Sequence, residues 1–285
     1  MKIALFSDIH ANLPALEAFF KSVEEQKPDA IYCLGDLVGY NIWPNEVINE
    51  IRKRGIPTIA GNYDQGIGLG VNECGCAYKT DEEKAMGNIS IAYTNSIVNA
   101  EERKYLKTLP SHIRLEFQLN NKPFNLLLVH GSPRKINEYL FEDRPEESML
   151  RIMNQANADI LCFGHTHKPY HRIISSAATD GIEYRHAINI GSVGKPKDGD
   201  ARGAYVLLTI DGESALSDKD AIKVDFIRFE YDVERAAKAI EDCILPDDYS
   251  RMLRQFTIKS FNNCRIFIIR LLIFLTNYCK SPGVL

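Results

Sequence analysis

The chain has 285 residues, 45% hydrophobic and 25% charged, which supplies a core for one large α/β domain or two small ones. A formal net charge of −4 gives no basic footprint, so stable nucleic-acid binding is not expected. The first apolar run is too short for a signal peptide and is interrupted by Asp8, and seven scattered cysteines read as free thiols, so a cytoplasmic location is expected.

In chain order, a strand is predicted over Lys2–Ser7. A helix follows from Leu13 to about Glu25, where Leu13, Leu16, Phe19, Phe20 and Val23 keep a 3.6-residue period. Asn12 directly precedes that period, the usual place of an N-cap, and Pro14 suits the first turn. A strand over Ala30–Leu34, a helix from Pro44 to about Lys53 and a strand over Pro57–Ala60 complete a βαβαβ start, which implies parallel pairing. Helices are expected near Glu82–Val98 and Ala100–Leu106. Strands Ile113–Leu119 and Phe124–Val129 flank the hairpin signal Asn120-Asn121-Lys122-Pro123. A helix near Glu146–Ala156 and a strand Asp159–Phe163 come next. Strands are then expected at His171–Ser175, Ile182–Ala187, Ala204–Ile210 and Ile222–Phe229, followed by a helix at Val233–Cys243.

Five short segments carry residues that bind metals. They read Asp8-Ile9-His10, Gly35-Asp36, Gly61-Asn62, His130-Gly131 and Gly164-His165-Thr166-His167. Each follows a predicted strand, so all five converge on one sheet edge, where open α/β folds bind ligands. Four of the seven histidines lie in them. Carboxylates mixed with imidazoles suit manganese, iron, zinc or nickel better than calcium. Asp36 is the natural bridge between two cations. Two cations about 3.5–4 Å apart can hold an attacking hydroxide and clamp phosphoryl oxygens through an in-line displacement.

The order DxH, GD, GN, GH, GHTH is similar to that of the calcineurin-like metallophosphoesterase superfamily. The strings DIHANLPALEA, CLGDLVGYNIWPNEV, LVHGSPR, FGHTHKP and NIGSVGKPKDGD resemble its small bacterial and archaeal phosphodiesterase branch. The resemblance spans roughly Met1 to Phe229. It implies a four-layer αββα sandwich of two mixed β-sheets flanked by helices. It also implies two divalent metal ions, manganese first. Asp8, His10 and His167 would hold one ion, Asn62, His130 and His165 the other, and Asp36 would lie between them. Asp36, Asn62, His130 and position 63 would then act in catalysis on a small phosphorylated substrate. The implied reaction is phosphoester hydrolysis, with a phosphodiesterase favoured over a protein phosphatase or a dinucleoside-polyphosphate hydrolase. The competing class is a non-catalytic scaffold on the same fold. A scaffold has no chemical reason to keep two complete ligand sets.

One position departs from the pattern. The superfamily usually reads GNH(D/E), with the histidine credited with assisting the leaving group, whereas this chain reads Gly61-Asn62-Tyr63-Asp64. Tyrosine titrates near ~10 against ~6.5 for histidine, so Tyr63 is a poorer acid at neutral pH but still a hydrogen-bond donor.

Around these motifs, Gly191-Ser192-Val193-Gly194 is expected to line the site, and Lys195 and Arg202 to belong to a mixed-charge loop with Asp198 and Asp200. Segment Tyr63–Lys79, rich in glycine and carrying Cys74 and Cys76, reads as an insertion forming one wall of the pocket, its two thiols too few for a structural zinc. Tyr40 and Trp43 could stack on an aromatic group, although packing is the commoner role of a single Trp.

The chain divides into a metallophosphoesterase domain over 1–256 and an apolar tail over 257–285. In the tail, Ile266–Tyr278 is too short to span a bilayer, which needs ~20 apolar residues, and Arg270 interrupts it. Docking on the core is the favoured reading and homo-oligomer contact the second. Truncation at Phe256 should therefore lower solubility or melting temperature by exposing an apolar patch. A truncated protein as stable and soluble as the full chain, with unchanged oligomeric state, would make the tail dispensable.

Overall fold

Alternating apolar side chains along the central strands leave both faces of two sheets hydrophobic, and four layers bury them. The computed structural model of the protein describes residues 1–119, 122–178 and 181–255. Its first half contains β1 (Lys2–Phe6), α1 (Leu13–Gln26), β2 (Ala30–Cys33), α2 (Pro44–Lys53), α3 (Asn62–Leu69), α4 (Asp81–Ile97) and α5 (Ala100–Leu106). Then come β3 (His112–Leu119), β4 (Lys122–Val129), α6 (Glu146–Gln155), β5 (Ile160–Phe163), β6 (Tyr170–Ala178), β7 (Gly181–Asn189), β8 (Gly203–Ile210), β9 (Ile222–Phe229) and α7 (Val233–Glu241).

The first sheet has the order β2-β1-β8-β9 and the second β3-β4-β5-β7-β6. Both are mixed: β1 runs parallel to β2 and antiparallel to β8, while β5 runs parallel to β4 and β7, which pair antiparallel with β3 and β6. Ile3 and Leu5 of β1 meet Leu126 and Leu128 of β4, and Ile160 and Cys162 of β5, in the core between the sheets. The intervening Ala4 and Phe6 face Leu16, Phe19 and Val23 of α1 and Val47, Ile48 and Ile51 of α2. On the far side, Leu127, Leu161 and Phe163 pack on Met149, Ile152 and Met153 of α6. Each such side chain stabilises the fold by roughly 1.5–3 kcal/mol of transfer free energy. The expected sandwich of two mixed sheets flanked by helices is what the chain forms.

Three elements differ from the sequence reading. Pro57–Ala60 makes only a single parallel bridge, Cys33 to Thr58. Pro57 has no N–H to donate, and the Ala60 N–H turns away to the Pro110 carbonyl. The start of the glycine-rich segment is helical, forming α3. Gly66 and Gly68 let α3 approach Cys74 and the Leu106–Lys107 backbone closely. A further helical stretch over 247–255 was not expected and packs Tyr249 and Leu253 against Ala236 and Ile240 of α7. The tail after residue 255 lies outside the described residues. Among those described, no helix is long and apolar enough to cross a membrane.

Asn12 caps α1 as expected, its Oδ1 accepting from the Ala15 N–H at 3.2 Å. Its Nδ2 also donates to the Gly194 carbonyl at 2.9 Å, so one side chain pins a helix start to a distant turn. Asn12→Ala should lose the cap and orphan that carbonyl, costing about 2 kcal/mol. Thermal unfolding should show a drop of about 3 °C; a change under 1 °C would mean that neither bond matters.

Candidate metal centre and its cavity

The loops after β1, β2, β4 and β5, together with the start of α3, meet in the seam between the sheets. They bring all seven sequence-predicted ligands together. Asp8, His10 and His167 form one group and Asp36, His130 and His165 a second, with ligand atoms within 4.8 Å of one another in each. All six are buried, as is Asn62. Asn62 joins the second group, its Oδ1 3.1 Å from His130 Nε2. Asp36 Oδ2 lies 3.6 Å from His10 Nε2 and 3.4 Å from His130 Nε2, so it faces both groups.

Bringing so many side chains to one point takes unusual backbone. Asp8, His10, Asp36, His165 and His167 all adopt left-handed φ values, between 50° and 63°. Each costs of order 1–3 kcal/mol for a non-glycine residue and persists only where surrounding structure fixes it. The glycines before the ligands permit the loops to touch. A Cβ on Gly164 would sit 2.5 Å from Asp8 Oδ2, and one on Gly61 would collide with the Asp36 carboxylate and backbone. Asp64 then staples the loops together, its carboxylate accepting from the backbone N–H groups of Asp36 (2.7 Å), Leu37 (2.9 Å) and Gly61 (2.9 Å).

The hydrogen bonds behind the ligands fix which atoms look inward. His10 Nδ1 donates to the Val38 carbonyl (3.0 Å), His130 Nδ1 to Leu34 (2.8 Å) and His167 Nδ1 to Lys195 (2.5 Å). A carbonyl can only accept, so each Nδ1 bears a proton, and Nε2 is the ring atom turned to the centre. Asn62 Nδ2 donates to the Cys74 carbonyl at 2.7 Å, which turns Asn62 Oδ1 inward as well. Acceptors therefore face acceptors. His10 Nε2 is 3.2 Å from His167 Nε2, and His167 Nε2 is 3.1 Å from Asp8 Oδ1. His165 Nε2 is buried with no hydrogen-bond partner. Cations satisfy such a set, and its nitrogen and oxygen donors fit a divalent transition metal.

The electrostatics agree. Burial alone would raise Asp8, but His167, His10 and His130 hold it well below the usual carboxylate range. Burial opposes a charged His130, yet Asp36 raises it to about 10. Burial lowers His165 to about 4 and His167 to about 3, which keeps both rings neutral. A place that draws a proton onto His130 draws a cation for the same reason.

A cavity of about 620 Å³ opens from His10 and Thr166. Tyr78 and Cys76 of the predicted wall segment line it, as does Tyr40. Trp43 instead packs in the cluster around α7, with Arg235 over its ring at 5.6 Å. Tyr63 is buried, its ring 4.7 Å from Tyr40 and its hydroxyl 3.4 Å from that of Tyr78, and burial raises its pKa well above the usual value. Its backbone N–H donates to Asp36 Oδ1 at 2.9 Å. Gly194 reaches the cavity, but the Val193 and Gly194 amides are spent on the Ser7 and Asp8 carbonyls, so this turn holds the Asp8 loop. Arg202 pairs with Asp200 as a mixed-charge loop should. Lys195 does not: it lines the cavity, as does Lys197, which the sequence reading did not single out. The Lys-Pro-Lys spacing directly after the glycine turn was the available signal. Among the described residues, Cys33, Cys74, Cys76, Cys162 and Cys243 are free thiols.

Two carboxylates and four imidazoles, set at strand ends between two sheets, define a protein of the dinuclear metallophosphoesterase class. The family model of the calcineurin-like phosphoesterase superfamily domain matches residues 1–213, and the chain belongs to that superfamily. An uncharacterised protein of Methanocaldococcus jannaschii is 31% identical over 256 residues, covering 86% of this chain and 94% of its own. Among solved structures, a metallophosphoesterase from Sphaerobacter thermophilus matches with a TM-score of 0.67 and 26% identity over 90% of this chain and 100% of its own. A hypothetical protein from Pyrococcus horikoshii matches with a TM-score of 0.68 and 26% identity over 88% and 97%.

Because Asp36 faces both groups, Asp36→Asn should lower the number of divalent ions bound per chain and abolish hydrolysis, since a neutral amide bridges two dications poorly. Two tightly bound ions and full activity in that variant would overturn the shared role of Asp36.

Proposed function

We propose that the protein is a dinuclear metal-dependent phosphoesterase acting on a small phosphodiester, with manganese the first candidate metal. The observation that carries the reading is the double set of inward-facing acceptors, complete on both sides of Asp36. Asp8, His10 and His167 would hold one cation and Asn62, His130 and His165 the other, with Asp36 facing both groups. When bound, such a pair supplies a nucleophile available near neutral pH and neutralises charge developing on the phosphoryl oxygens. The chain's own residues do the rest. The carbonyls of Val38, Leu34 and Lys195 orient three imidazoles with Nε2 aimed at the centre. Lys197 lines the cavity a phosphate anion would enter; burial lowers its pKa, against the pull of Asp8 and Asp36. The free thiols fit a reducing cytoplasm.

Tyr63 stands at the position of the leaving-group histidine, and its buried hydroxyl meets the cavity-lining Tyr78 at 3.4 Å. Proton donation to an alkoxide should therefore be weak, while a nitrophenolate needs no proton. Purified protein with Mn²⁺, Ni²⁺ or Zn²⁺ is to be assayed on bis-p-nitrophenyl phosphate, p-nitrophenyl phosphate, cyclic nucleotides, dinucleoside polyphosphates and phosphopeptides. Diesters should be turned over best, and no turnover with any metal would favour a scaffold. Matched aryl and alkyl diesters should show a steep aryl preference. Tyr63→His should narrow that gap, and Tyr63→Phe should cost little on aryl esters. An unchanged aryl-to-alkyl kcat/KM ratio in the histidine variant would remove position 63 from the leaving-group step.

A further inference from the structure

The cavity has two aromatic walls, one beside each ligand group. On the His10 side, Tyr40 lies 4.8 Å from the His10 ring and 5.2 Å from Tyr249. On the His165 side, Tyr139 lies 4.1 Å from the His165 ring and stacks on Phe141 at 5.6 Å. The first wall also holds a cation. Lys195 Nζ sits 4.4 Å from the Tyr40 centroid, 5.3 Å from the Tyr249 centroid and 3.9 Å from Met252 Sδ. No carboxylate lies within ion-pair distance of it among the described residues, and burial lowers its pKa to about 7, with Lys197 adding to the fall and Cys76 and Glu83 opposing it. An ammonium held among rings without an anion beside it is incompletely compensated. Tyr249 and Met252 lie beyond residues 1–213, so the C-terminal elements complete a wall that Tyr40 and Lys195 begin.

We propose that the Tyr40–Tyr249–Lys195 wall is a subsite for one organic arm of the ester, selecting a planar ring that carries a further anionic group. The proposal rests on the phosphoesterase reading above. Tyr40 and Tyr249 touch each other edge to face and both line the cavity, so a ring laid against them from the cavity side gains aromatic contact. A carboxylate or phosphoryl group on that ring completes the ion pair that Lys195 lacks. The Lys195 backbone carbonyl, which holds His167, is untouched by a change of side chain.

The test keeps the leaving group constant and varies the other arm. Methyl, phenyl, 4-carboxyphenyl and 4-phosphonophenyl esters of 4-nitrophenyl phosphate are compared by kcat/KM with the Mn²⁺-loaded full chain. Binding of methylphosphonate, phenylphosphonate and 4-carboxyphenylphosphonate is measured by calorimetry alongside. Phenyl should exceed methyl by about threefold to tenfold. An anionic ring should gain about tenfold more, and the larger of the carboxylate and phosphonate gains identifies the preferred group. Lys195→Met should erase the anionic gain in both assays and keep the ring gain, Lys195→Arg should restore it, and Tyr249→Ala should shrink the ring gain. An anionic gain that survives Lys195→Met, or no dependence on the arm in the unaltered protein, overturns the subsite. Lys195-dependent binding without turnover of any ester would instead uphold the subsite and count against hydrolysis.

Discussion

Two carboxylates, Asp8 and Asp36, lie 0% and 2% exposed in the seam between the sheets. Burying negative charge is tolerable only beside compensating charge or donors, and the architecture of this region answers that demand. Backbone and imidazole groups supply part of it. Inward lone pairs leave the remainder to cations. The strained left-handed residues, the collapsed glycines and the Asp64 staple serve the same end, which is to bring donors from four loops and a helix start within a few ångströms of two buried anions.

Much of the site was legible because its code is local. A ligand placed one or two residues after an apolar strand needs no knowledge of the fold to be read as a strand-end residue. By the predicted strand ends, Asp8, Asp36, His130 and His165 all obey that rule. Asn12 was equally local, being set by the helix it begins. Its second bond to Gly194 was not, since the partners are 182 residues apart. The first turns of the glycine-rich segment were misread because glycine lowers helix propensity, whereas here Gly66 and Gly68 are needed for close packing of α3. The expected strand at Pro57–Ala60 failed for the opposite reason, a local defect in hydrogen-bond donors overriding an apolar run.

The cavity was the least legible part. Tyr40, Tyr139, Lys195 and Tyr249 come from four separate regions, and no periodicity links them. Lys195 read as one charge among several in a loop, and only the fold reveals that its neighbours Asp198 and Asp200 engage Arg228 and Arg202 instead. The chain thus separates two tasks. Ligand-bearing loops sit within the first 213 residues, while α7 and the stretch over 247–255 shape what surrounds them.

Neither sheet owns a complete ligand set. Asp8 and His10 extend from β1 of one sheet and their partner His167 from β5 of the other; Asp36 follows β2, whereas His130 and His165 follow β4 and β5. Each cation would therefore act as a rivet across the sandwich. By mass action, an ion at a hundred times its dissociation constant adds about 2.7 kcal/mol to the riveted state. The apparent rigidity of the seam would then track metal supply in the surroundings.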